Sequence, residues 1–243
     1  MRQADGQATV LRMSRLDILA PDLWRVAHEV ALPGGVLLPT HMTVVRLPGG
    51  ELVLHSPIPA DDDLVAEVTR LGRIAHVVAP CLYHHLYVAS WSARVPEARV
   101  YGAPGLADKR SDLRIDEVLG DEVPDAWRGV LDQILIRGQP TLNEVVFFHR
   151  ASRALIVADL LFNVLRPRTF MTGLVLRAMG THKCLAQSRL WRRYIRDEAA
   201  VRASMTRLLA WDFDRLLPAH GDPVGPGARS AIDGALSAYI AKQ

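Results

Sequence analysis

Short apolar stretches, each closed by a turn or a polar residue, fill the first two thirds of the chain. A helical periodicity takes over for most of the rest. Residues 42–47 and 52–55 are β-branched or apolar runs joined by Pro48-Gly49-Gly50, which predicts a hairpin because glycine supplies the positive φ such turns need. Residues 61–71 predict a helix that opens on acids, as suits a helix N-terminus, and places Leu64, Val65, Val68 and Leu71 on one face. A strand at 74–79 follows, then a loop carrying His84 and His85, a short helix near 89–94 and a strand at 99–102 that ends before Pro104-Gly105. After an acid-rich connection over 108–125, strands are expected at 133–136, 144–149 and 154–158, the last two joined by a turn at Ala151-Ser152-Arg153. Leu174, Leu176, Leu190, Ile195, Val201, Met205, Leu208 and Leu209 mark a helical section over 168–211, an outer layer or lid rather than part of a sheet. Leu216, Leu217 and Pro218 then lead to His220, and 228–241 reads as an amphipathic closing helix. Strands and helices in alternation place the chain in the α/β class.

Composition narrows this picture. A length of 243 residues with 49% hydrophobic content can bury a large core, and a single domain over 1–243 with a helical insert at 168–211 is the expected organisation. Basic residues outnumber acidic ones by only 29 to 26, too slight an excess to imply a nucleic-acid partner. Arg189, Arg192, Arg193 and Arg196 alternate with Leu190, Trp191 and Ile195, the spacing of a solvated helix face. Cys81 and Cys184 are too few for a disulfide framework and fit a reducing, cytoplasmic compartment. Charged residues Arg2, Asp5, Arg12, Arg15 and Asp17 leave no apolar signal segment, and no run approaches the roughly 20 residues needed to span a bilayer. A soluble protein without a membrane partner is expected.

Three apolar stretches end in residues that ligate metals, and strand ends are where α/β proteins place their chemistry. The first, V-V-A-P-C-L-Y-H-H-L, presents His84 and His85; the second, A-L-I-V-A-D-L-L-F-N, carries Asp159; the third, L-L-P-A-H-G-D-P-V, carries His220. Neutral imidazole and carboxylate are the ligands a catalytic zinc ion takes, with one position left for a water whose pKa falls to roughly 7. His84, His85, Asp159, His220 and the nearby Glu144 are the candidate ligands, and Asp159 and His85 the candidate catalytic groups. Adjacent histidines point to opposite sides of a strand, so both reach one centre only if the backbone turns, and Pro80 makes a turn plausible. The set suits zinc first, with manganese or iron as alternatives.

The order of these pieces resembles the metallo-β-lactamase fold superfamily from residue 40 to the end. T-V-V-R-L-P-G-G-E-L-V-L-H-S-P stands at its first hairpin, V-V-A-P-C-L-Y-H-H at its T-H-x-H-x-D-H metal loop, and G-Q-P-T-L-N-E-V-V-F-F-H at its third histidine motif. A-L-I-V-A-D-L-L-F stands at its bridging-aspartate strand and L-L-P-A-H-G-D at its final turn, the two strongest matches. The chain looks closest to a bacterial branch, a domain of unknown function, in which an H-H pair replaces the full loop. The resemblance implies a four-layer αββα sandwich and a metal-dependent hydrolase in which a metal-bound hydroxide attacks an ester, lactone, thioester or phosphoester of small-molecule size. The departures are specific: Pro80 and Leu82 stand at the first two histidines, His84 at the aspartate, His85 at the last histidine, and Gln139 at the third motif. A depleted metal site that binds no metal and serves ligand or partner recognition is therefore the alternative.

The other histidines, His28, His41, His76, His149 and His182, show no ligating spacing and read as surface or core residues. His55 stands where the superfamily has an aspartate that supports the metal loop. Cys81 reads as a buried structural thiol. Tyr83, Tyr87 and Trp91 either wall a pocket or pack the short helix, and Phe170, Met171, Leu174, Val175 and Leu176 form either a substrate lid or a homodimer contact.

Overall fold

The computed structural model describes residues 16–239. Two sheets lie face to face. The larger runs in chain order: β1 (Leu16–Ala20), β2 (Leu23–Leu32), β3 (Val36–Arg46), β4 (Glu51–His55), β5 (Arg73–Ala79), β6 (Arg99–Gly102) and β7 (Glu117–Val118). Its first four strands are an antiparallel meander, and β4 to β7 pair in parallel. Helices α1 (Asp62–Thr69), α2 (Val88–Arg94) and α3 (Leu106–Lys109) lie in the connections between the parallel strands, as parallel pairing requires. The smaller sheet has the order β11 (Arg215–Gly221), β10 (Ala154–Asn163), β9 (Val145–His149) and β8 (Leu131–Leu135). Its helices are α4 (Phe170–Met179), α5 (Arg189–Arg193), α6 (Glu198–Leu209) and α7 (Ala228–Ala235).

Three buried clusters correspond to the three junctions of an αββα sandwich. Leu54, Leu64, Val77 and Trp91 pack α1 and α2 against the larger sheet. Val53, Tyr101, Trp127, Phe147 and Ile156 fill the space between the sheets. Ile136, Leu155, Trp191, Met205 and Ile232 pack the C-terminal helices on the smaller sheet. Each large apolar side chain buried this way contributes about 1.5–3 kcal/mol of transfer free energy.

The expected hairpin forms between β3 and β4, with Gly49 and Gly50 at φ 96° and 86°. The helix expected over 61–71 is α1, capped by Asp61, whose carboxylate accepts from the Leu64 amide at 2.8 Å. Strands β1, β2 and β10 and the helical section differ from expectation. The strands β1 and β2 carry no clean alternation, because Arg25, His28 and Glu29 interrupt the apolar positions of β2. The strand expected at 154–158 runs on to Asn163, so Asp159 lies inside β10 rather than at its end. The expected section at 168–211 resolves into α4, α5 and α6, with α4 tied to β3 through the Thr172 hydroxyl and the backbone of Leu37. Helix α7 ends at Ala235, and residues 240–241 of the expected closing helix lie outside the described residues, as do 1–15. Among the described residues no helix is long and apolar enough to cross a membrane.

Candidate metal centre

The parallel strands of the larger sheet deliver one side of the site. Beyond β5 the chain turns at Pro80, whose carbonyl accepts from the Val145 amide at 2.8 Å, while the Leu82 amide donates to Leu142 at 2.8 Å. These bonds tie the loop to the neighbouring sheet. His84 leaves the loop with its Nδ1 on the Ser56 hydroxyl. Ser56 follows β4 with φ 56°, a left-handed conformation rare for a residue with a Cβ, and its amide donates to Val78 at 3.0 Å.

The smaller sheet delivers the other side. β10 and β11 pair in register up to Val157 and Pro218, then resume at Phe162 and His220, so residues 158–161 stand against Ala219 alone. This irregularity turns Asp159 toward the site, the re-aiming role that bulges play beside active sites. His220 sits near the end of β11, its ring stacked on Phe162 with centroids 4.7 Å apart, and its Nδ1 is 2.9 Å from the Pro39 carbonyl. That carbonyl only accepts, so Nδ1 donates to it and Nε2 is the ring nitrogen turned to the site. Gly221 follows at φ 103°, and a Cβ there would lie 2.2 Å from the Asn163 carbonyl oxygen.

His84, Asp159 and His220 meet. The two Nε2 atoms are 3.0 Å apart, His84 Nε2 is 3.6 Å from Asp159 Oδ2, and His220 Nε2 is 3.3 Å from Asp159 Oδ1. Cys81 Sγ lies 3.1 Å from Asp159 Oδ2, and one donor atom each from Cys81, His84 and Asp159 fall within 4.8 Å of one another. Burial opposes ionisation of Asp159, but His84 and His220 outweigh it and hold the carboxyl well below the usual range. Burial, then the charges of Asp159 and Glu144, push the Cys81 thiol well up. Cys81 therefore keeps its proton and donates it to Asp159.

The structure does not bring His85 or Glu144 to this cluster. The His85 ring turns away and accepts at Nδ1 from Arg110 at 3.0 Å, because adjacent side chains of the loop diverge. Glu144 is buried behind Asp159 with its oxygens on backbone amides, Oε1 to Ala158 at 2.7 Å and Oε2 to Asp159 at 3.0 Å. Burial and the Asp159 charge push its carboxyl up to about 8. It props the bulge. Gln139, at the third histidine motif, caps a turn by accepting from the Leu142 amide at 2.8 Å.

Ser56 and the Pro39 carbonyl, which orient the two imidazoles, belong to no motif in the sequence. The only trace of Ser56 was a small polar residue before a proline at a strand end. His55, expected to support the loop, is buried edge-on to Phe147, and its Nε2 has no hydrogen-bond partner among the described residues. Its neighbour Ser56 makes the supporting contact instead. His41, expected to be apart from the site, bonds through Nδ1 to the Ala219 carbonyl, one residue from His220.

A cavity of about 230 Å³ opens onto His84, Asp159 and His220. Val30, Leu32, Leu38, Pro57 and Leu86 form its apolar walls, and Tyr83 and Tyr87 its aromatic side. Trp91 is not there: it is buried beneath α2, donating to the Ile58 carbonyl at 2.7 Å.

A family model described as a domain of unknown function, DUF4336, matches residues 21–107. No curated protein matches the chain. The fold is that of the metallo-β-lactamases. The chain is similar to a metallo-β-lactamase from Pontibacter korlensis at 14% identity and TM-score 0.64, over 92% of this chain and 97% of that one. It is similar to the FIM-1 metallo-β-lactamase from Pseudomonas aeruginosa in its mono-zinc form, at 14% identity and TM-score 0.60 over 93% and 96%. It also resembles the metal-soaked Flv1 flavodiiron core from Synechocystis sp. PCC6803, at 13% identity and TM-score 0.61 over 92% of this chain and 60% of that one.

Proposed function

We propose that this metallo-β-lactamase-fold chain is a hydrolase that works with a single divalent metal ion, zinc before manganese or iron, held by His84, Asp159 and His220. The observation that carries this reading is the convergence of those three side chains at the base of a cavity. Ligand atoms bound tetrahedrally at about 2.0–2.1 Å lie about 3.3–3.4 Å from one another. The two nitrogens are 3.0 Å apart, and each lies close to that value from one or the other oxygen of Asp159, at 3.3 and 3.6 Å. Asp159 and the two imidazoles together make the carboxylate and nitrogen set that a catalytic zinc takes. Two familiar histidine positions hold Pro80 and Leu82, and the third holds the turn-capping Gln139, which favours one ion over two.

When bound, the ion would polarise the substrate carbonyl and acidify a water. The chain's own residues do the rest. Pro39 and Ser56 fix the two rings, and Glu144 and Cys81 hold Asp159 from behind. Asp159 lines the cavity as the ionised carboxylate that would hold the ion. The apolar walls exclude bulk water and so strengthen the electrostatics at the base of the cavity.

The test is hydrolysis of a panel of carboxylic ester, lactone, thioester and phosphoester substrates by protein purified without chelator. Activity should vanish on dialysis against a chelator and return with zinc, manganese or iron, and His220→Ala should abolish it. A metal-loaded protein with no activity on any class would turn the reading toward a ligand-binding role.

A further inference from the structure

Resting on the hydrolase reading, we infer that the substrate is a neutral carboxylic ester or lactone with a short apolar acyl part, and not a phosphoester. The walls that meet the base of the cavity are hydrocarbon: Val30 and Leu32 from β2, Leu38 from β3, and Pro57 and Leu86 from the loops beyond β4 and β5. Leu32, Leu86 and Tyr83 are exposed at the rim, continuing the apolar surface outward. Such surface selects ligands by the area it removes from water.

Beyond the ion itself, a phosphoester needs cationic partners for its further anionic oxygens, and among the described residues no lysine or arginine lines this cavity. The cations nearby are engaged elsewhere. Lys109 lies over the Tyr83 ring at 4.3 Å with its ammonium on the Leu82 carbonyl. Arg110 pairs with Asp112 at 2.6 Å and faces His85, and Arg168 pairs with Glu29 at 2.7 Å. The polar groups left to orient an uncharged substrate are the Thr40 hydroxyl and the tyrosine hydroxyls, of which Tyr87 also meets His28 at 3.3 Å. At about 30 Å³ for each water-sized group, the cavity of about 230 Å³ takes about eight non-hydrogen atoms.

The experiment uses the zinc-loaded full chain and the p-nitrophenyl esters of acetate, butyrate, hexanoate and decanoate, with p-nitrophenyl phosphate and bis(p-nitrophenyl) phosphate alongside. From acetate to hexanoate, kcat/KM should rise about fourfold per methylene and then level off as the cavity fills, because each buried CH₂ is worth about 0.8 kcal/mol. Both phosphates should turn over at least 100-fold more slowly than hexanoate. Leu38→Asn should flatten the chain-length dependence. Leu86→Asn, at an exposed rim position where folding is not at stake, should lower the rates of the longer esters alone. A flat series, or a phosphate that outpaces the esters, overturns the inference and leaves the hydrolase reading standing. If nothing turns over, the hydrolase reading fails, and saturation-transfer NMR decides the inference. Binding of 2-octanone that weakens in Leu38→Asn supports an apolar, neutral-ligand cavity; preferential binding of phenyl phosphate, or binding of neither, refutes it.

Discussion

Removing the carboxyl of Glu144 should cost stability first and metal affinity second. Its two oxygens accept the amides of Ala158 and Asp159 at 2.7 and 3.0 Å, at the point where β10 departs from regular pairing with β11. In Glu144→Ala both amides lose a buried acceptor, at about 1–3 kcal/mol each, hence about 2–6 kcal/mol together. That is a large part of a total stability of about 5–15 kcal/mol. Glu144→Gln keeps the shape and one acceptor but turns an NH₂ toward the second amide, so about 1–3 kcal/mol is lost. For a chain of this size that lowers Tm by about 2–12 °C. Urea unfolding followed by tryptophan fluorescence reads the difference as a shift in midpoint at unchanged m. Because the carboxyl acts through the Asp159 backbone, Glu144→Gln should still bind metal, about 10–100-fold more weakly than the parent protein. A Gln variant of unchanged stability that binds no metal would refute this, since it would make Glu144 a ligand.

Three further outcomes follow from the same geometry. Gly221→Ala places a Cβ 2.2 Å from the Asn163 carbonyl at φ 103°, so the strand end carrying His220 must move; soluble yield and metal content should fall together, measured by gel filtration and elemental analysis. Cys81→Ser keeps a donor to Asp159, so the cobalt-loaded wild type and variant should both lack a sulfur-to-cobalt charge-transfer band; such a band in wild type alone would make Cys81 a ligand. Metal-free protein should be most stable near pH 6.5. Burial lowers His41 to about 4 and His55 to about 3, so the unfolded chain binds more protons below 6.5 and each group costs about 1.4 kcal/mol per pH unit down to its folded value. Glu144, raised to about 8, keeps its proton in the folded state and erodes stability as pH rises from about 4.5 to 8. Denaturation midpoints between pH 5 and 8 test this, and Glu144→Gln should remove the alkaline limb.

The strands with clean apolar runs were legible because burial on both faces leaves a continuous pattern, as in β5 and β10. β2 was not, since Arg25, His28 and Glu29 interrupt it to meet Gly221, Tyr87 and Arg168, contacts that lie far away in the chain. His84, Asp159 and His220 could be picked out because each interrupts or closes an apolar run. The choice between His84 and His85 was not readable, because it depends on how the loop turns after Pro80, and that is set by bonds to Leu142 and Val145 more than fifty residues away. Glu144 illustrates the same limit. Its residue type suits a ligand, and only the position of the Ala158 and Asp159 amides shows what its oxygens hold.

Elemental analysis of chelator-free protein, beside the His84→Ala, His85→Ala, Asp159→Ala and His220→Ala variants, decides whether His84, Asp159 and His220 hold one metal ion. About one ion per chain is expected in wild type and in His85→Ala, and none in the other three. Two ions per chain, loss of the ion in His85→Ala, or a wild type that holds no ion and gains no thermal stability from added zinc, manganese or iron would contradict it.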